Sequence, residues 1–163
     1  MIELTYLNQP PKRWTFEQPK LKQYVESHSY GKVLNLFAGK TRLNLDETRV
    51  DLSNEHNPDY NMEAYEFCKY AAANDMKYNT IILDPPYSYR KSMEKYDGKV
   101  CSGFNRVKDM LPEILEGERA IVITLGYSSS CMGKIRGFRK TGVCLICHGG
   151  AHHDTICLVE ERI

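Results

Sequence analysis

Near its carboxyl end the chain reads Gly142-Val143-Cys144-Leu145-Ile146-Cys147-His148-Gly149-Gly150-Ala151-His152-His153-Asp154-Thr155-Ile156-Cys157-Leu158-Val159-Glu160. Two apolar runs, 142–147 and 154–160, flank a Gly149-Gly150 turn, and each reads as a strand. A parallel pair needs a crossover of about a dozen residues or more, so two strands joined this closely must be antiparallel.

Upstream the pattern differs. Leu21, Tyr24 and Val25 recur at helical spacing between Pro19 and His28, with the proline suited to a first turn and Gly31 closing the helix. Lys32 to Phe37 reads as a buried strand, and Thr48 to Leu52 as a short second one. Residues 64–76 form a helix with Ala64, Phe67, Cys68, Ala71 and Ala72 on one face. Thr80-Ile81-Ile82-Leu83 is the next strand, residues 104–116 a helix bent or broken at Pro112, and Ala120 to Leu125 another strand. The stretch to Glu17, with Pro10, Pro11 and Trp14, reads as an irregular arm. Strands alternating with helices predict an open α/β sheet, mostly parallel, ending in an antiparallel hairpin.

At 163 residues, with 42% apolar and 26% charged residues, the chain suits a single domain, 1–163, rather than a disordered segment. A formal net charge of +1 gives no global basic field, so contact with a polyanion would need a local patch. The amino terminus lacks a basic-then-apolar leader, and no apolar run approaches the roughly 20 residues of a membrane span. The expectation is a cytoplasmic protein whose six cysteines are reduced thiols.

In an open α/β sheet, ligands bind beyond the carboxyl ends of the strands. One such end carries Phe37-Ala38-Gly39-Lys40, where glycine lets the backbone approach a ligand. The next carries Asp51, placed to accept from ribose hydroxyls or to form a turn. A third carries Asp84-Pro85-Pro86-Tyr87. Two prolines remove two donors and stiffen a turn that offers free carbonyls, a carboxylate and an aromatic ring. An exocyclic amino group of a base is a poor nucleophile because its lone pair is delocalised. Two acceptors aimed at its hydrogens favour a more tetrahedral nitrogen, and a stacked ring holds the base.

Asp84-Pro85-Pro86-Tyr87 resembles the catalytic D-P-P-Y motif of amino-group methyltransferases, above all adenine-N6 DNA methylases, and Phe37-Ala38-Gly39 resembles part of their F-x-G-x-G cofactor motif. Thr41 stands at the second glycine, and Asn35 where an acidic residue is often found. The resemblance implies a Rossmann-like class I methyltransferase sheet using S-adenosyl-L-methionine. It implies that Asp84, Pro85, Pro86 and Tyr87 hold the target base. It also implies that Asn35, Phe37, Ala38, Gly39, Lys40 and Thr41 line the methyl donor, with Asp51 on its ribose and Met62 and Glu63 near its adenine. About ten residues lie between Phe37 and the next strand, so the helix expected there shrinks to a turn or two. No separate target-recognition domain is expected. Guanine-N2 or adenine-N6 methylation of RNA, and a catalytically silent nucleic-acid-binding module, are the alternatives.

Two basic stretches are candidate nucleic-acid contacts: Tyr89, Arg90 and Lys91 after the D-P-P-Y turn, and Lys134, Arg136 and Arg139 before the final hairpin. Cys144-x-x-Cys147-His148 with His152 and His153 has zinc-ligand residue types. Strand alternation would point the two cysteines to opposite faces, so no metal site is expected, and His152 and His153 are placed to line the substrate edge.

Overall fold

The computed structural model describes residues 1–85 and 101–163. Eight strands, β1 (Glu3–Asn8), β2 (Lys32–Asn35), β3 (Asp46–Asp51), β4 (Tyr60–Asn61), β5 (Thr80–Leu83), β6 (Ile121–Gly126), β7 (Phe138–Cys147) and β8 (Thr155–Arg162), form one sheet in the order β1-β7-β8-β6-β5-β2-β3-β4. β8 runs antiparallel between β6 and β7, and all other pairings are parallel. The sheet is the Rossmann-like one expected, with its antiparallel final strand inserted beside β6.

Alternation along the strands buries both faces. Val33, Ile82, Ile123, Cys144 and Cys157 face α1 (Pro19–His28), which contributes Leu21, Tyr24 and Val25. Leu34, Ile81, Val122 and Leu158 face α2 (Ala64–Ala73) and α3 (Cys101–Ile114), which contribute Phe67, Cys68, Val107 and Leu111. Pro112 lies inside α3 without ending it before Ile114.

Two expectations are corrected. Residues 1–17 are not irregular throughout, because Glu3–Asn8 is a strand. Its backbone satisfies the open edge of β7, and its partly buried Leu7 packs on the α1 side. Leu4 and Tyr6 stay exposed on the other face, which is why the segment lacks a core-strand signature. Second, residues 36–45, between β2 and β3, contain no helical turn.

Strand direction fixes where everything else lies. β1 ends beside Cys147 at the carboxyl edge of the sheet, and residues 9–18 then cross that edge to reach α1. The β7–β8 turn lies at the same edge, since Ile156 pairs with Gly126 at the end of β6. Both chain ends lie at the opposite, amino edge: Ile163 N–H donates to Gly137 O at 2.8 Å, and Glu3 is level with Gly142 in the first half of β7.

Candidate active site

Two cavities open at the carboxyl edge, and Arg13, Thr15 and Asp84 belong to the walls of both. The smaller, about 200 Å³, lies between Trp14 and the loop Phe37 to Thr41. The larger, about 540 Å³, lies between residues 11–18 and the β7–β8 turn, with Pro85, Tyr127, His152 and His153 in its wall. Asp84 follows the four fully buried residues of β5, so a central strand of the sheet positions it at their junction.

The loop wall is built around Gly39. Its φ of +58° is a region that disfavours side chains, and a Cβ there would stand 3.1 Å from the Trp14 ring. Trp14 in turn meets His56 edge-on at 4.9 Å, and the Arg13 guanidinium lies 5.5 Å from the Trp14 ring centroid. The Gly39 N–H donates to Asp51 Oδ2 and the Ser53 N–H to Asp51 Oδ1, each at 2.8 Å. Asp51 therefore ties the loop to the end of β3, and each oxygen retains a lone pair for a further donor.

Of the residues implied as cofactor contacts, Phe37, Ala38, Gly39, Lys40 and Thr41 line the smaller cavity. Asn35 does not. It is fully buried and donates from Nδ2 to Glu47 Oε1 at 3.0 Å. Met62 packs against the α2 side of the core, its N–H donating to Asp51 O, and Glu63 caps α2 by accepting from the Glu66 N–H at 3.1 Å. Neither is in the cavity wall. Pro86, Tyr87, Tyr89, Arg90 and Lys91 lie outside the described residues.

Lys134, Arg136 and Arg139 are not brought to this edge. They precede or open β7, whose first residues pair with the end of β8 at the amino edge. Buried Glu160 holds the approach there by accepting from the Met132 and Gly133 N–H groups at 2.8 and 2.9 Å. Arg136 bonds Asp109 at 2.8 Å and Arg139 meets Glu161 at 3.5 Å, so these cations have local carboxylate partners.

The sequence reading missed Lys12 and Arg13, which join the larger cavity's wall opposite the histidine turn. His148 links the two sides. Its Nδ1 lies 2.8 Å from Gln9 O, which can accept but not donate, so Nδ1 carries a proton, and Nε2 shares a hydrogen bond of 2.7 Å with Thr155 Oγ1. Both ring nitrogens are thus engaged, while Cys144 faces the α1-side core and Cys147 is half-buried. Among the described residues, no group of three or more His, Cys, Asp or Glu side chains is arranged to hold a metal. Glu47 and Arg49, also missed, lie under the loop on the face of β3 that carries Asp51, a period-2 run of charges visible in the sequence.

No family model matches the sequence, and comparison with curated proteins gives no significant match. Solved structures do match. A putative SAM-dependent methyltransferase from Streptococcus mutans superposes with a TM-score of 0.55 at 15% identity, over 87% of this chain and 48% of its own. A SAM-dependent methyltransferase from Agrobacterium tumefaciens gives 0.54 at 18% identity, over 86% and 58%. TrmN from Thermus thermophilus gives 0.58 at 14% identity, over 90% and 49%. The chain spans about half the length of these structures, and it has the Rossmann-like fold that they share.

Proposed function

We propose that this protein transfers a methyl group from S-adenosyl-L-methionine to an exocyclic amino group of a nucleic-acid base, adenine N6 in DNA being the first candidate. The observation that carries the reading is Asp84 in the shared wall of two cavities at the carboxyl edge of a methyltransferase-type sheet. A transfer reaction needs a donor site and an acceptor site meeting at one point.

The residues of the smaller cavity fit the donor. Gly39 has no side chain, which lets the Trp14 ring close against the loop and face the cavity. Trp14 and Phe37 offer aromatic surface in its wall, and Asp51, bonded to the Gly39 amide of that wall, has acceptor capacity left for hydroxyl groups. When bound, the donor supplies an electrophilic methyl on a sulfonium. Everything else falls to the chain's own groups. Asp84 accepts a hydrogen of the attacking amine and orients its lone pair, and the Pro85 carbonyl is the second acceptor. Proton loss follows attack, so no histidine has to act as base. The larger cavity, flanked by Lys12 and Arg13, suits a base that has left its stack, the form in which its amino group is reachable.

The test is single-turnover methylation of DNA and of RNA, with mass spectrometry of the modified nucleoside. Asp84→Ala is expected to lower the rate at least about 100-fold, because misplacing the nitrogen forfeits the in-line geometry. Wild-type rates in that variant would remove the turn from the active site. No transfer to either nucleic acid, with binding intact, would favour the silent binding module.

A further inference from the structure

In sheets of this kind the strand that opens the ligand site normally runs into a helix, whose first turn fixes the backbone facing the ligand. Here ten residues, 36–45, replace it without a helical turn, so another group must hold them. Arg49 lies beneath. It is 1% exposed, and its guanidinium reaches three loop carbonyls at once: Nη2 donates to Ala38 O at 3.1 Å and Gly39 O at 2.7 Å, and Nη1 donates to Thr41 O at 3.1 Å. Glu47, two residues earlier on the same face of β3, balances the charge with both oxygens within 3.1 Å of Nη1. The same carboxylate accepts from Leu43 N–H at 3.2 Å and from Asn35 Nδ2 at 3.0 Å. One buried ion pair thus touches Asn35 at the end of β2 and residues 38, 39, 41 and 43 of the loop.

We propose that Arg49 and Glu47 are the positioning residues of the donor loop, a charged splint standing in for the missing helix. Drawing the carbonyls of Ala38, Gly39 and Thr41 downward turns that backbone into one fixed shape at the cavity wall. A planar fork is needed for this, because an ammonium is a point charge and cannot present the same set of directed donors. The run Glu47-x-Arg49-x-Asp51 then reads as a unit. Asp51 holds the loop's Gly39 amide from one side, while Arg49 holds its carbonyls from the other. The proposal rests on the donor reading above for what the loop binds, but not for how the loop is held.

Removing Arg49 alone would strand a buried carboxylate, so the informative variants are Glu47→Leu/Arg49→Met together, and Arg49→Lys. Melting and circular dichroism establish that each is folded. Two measurements follow: calorimetric binding of S-adenosylhomocysteine, and hydrogen exchange of the Ala38 and Gly39 amides without ligand. The acceptors of those two amides, Val50 O and Asp51, are left intact by either variant. We expect affinity for S-adenosylhomocysteine to fall about 10- to 100-fold, as when the outer partners of a metal ligand are removed. Both amides should exchange faster, and the Michaelis constant for nucleic acid should be unchanged. Folded variants with wild-type affinity and wild-type protection would overturn the splint. If wild-type protein fails to bind S-adenosylhomocysteine, the donor reading falls. The splint is then judged on exchange alone: faster amides uphold it and unchanged amides overturn it.

Discussion

The Gly39 N–H and the Asp51 carboxylate meet at 2.8 Å, tying the loop that follows β2 to the end of the adjacent parallel strand β3. This bond makes Asp51 a support for the cavity wall, through Gly39, as well as a candidate ligand group. Asp51→Ala is expected to weaken S-adenosylhomocysteine binding by about 1.5–3 kcal/mol, the range for hydrogen bonds to a charged group. Asp51→Asn, which keeps one acceptor, should lose less. Calorimetry decides between them, and unchanged affinity in the alanine variant would take Asp51 out of the site.

Nucleic-acid binding should depend on Lys12 and Arg13 and be insensitive to the amino-edge cluster. Each phosphate contact on a single strand contributes about 0.7 to the slope of log affinity against log salt. Lys12→Ala/Arg13→Ala is therefore expected to flatten that slope by about 1.4 in fluorescence anisotropy with a labelled single-stranded oligonucleotide. Lys134→Ala/Arg139→Ala should leave it as in the wild type. The reverse result would place the nucleic acid on the far side of the sheet.

Stability should fall as pH rises above about 9. Burial pushes the Cys68 thiol from its ordinary 9.0 up to about 12 and the Cys144 thiol up to about 11. Burial raises Cys157, Tyr24 and Tyr78 as well. Between the unfolded and folded values the native state holds the proton that the unfolded chain releases. Each such thiol then lowers stability by about 1.4 kcal/mol per pH unit, and below the unfolded value it has no effect. Urea unfolding from pH 8 to 10.5 checks this. Cys68→Ala should reduce the slope with pH whatever it does to absolute stability. A flat profile in the wild type would refute the linkage.

The sheet was legible because chain length decides strand direction. Too few residues join 142–147 to 154–160 for a crossover, whereas β5 and β6 are separated by a helix. β1 was not legible, since an edge strand with Leu4 and Tyr6 exposed carries no core pattern and owes its existence to the unpaired backbone of β7. Where the basic cluster at 134–139 lies was not legible, because it depends on the direction of β7 in the sheet. Residues that precede a parallel strand lie at its amino end, opposite the ligand edge. Glu47 and Arg49 were written plainly in the alternation of β3. Paired charges on a strand usually face water, and here they face the inside of a loop.

The position of the two chain ends has a practical side. Both emerge from the edge of the sheet away from Asp84 and the two cavities. A tag or surface tether fused beside Glu3 or Ile163 therefore stands clear of both cavities. The site would face outward from an immobilised layer with its mouth toward the solution.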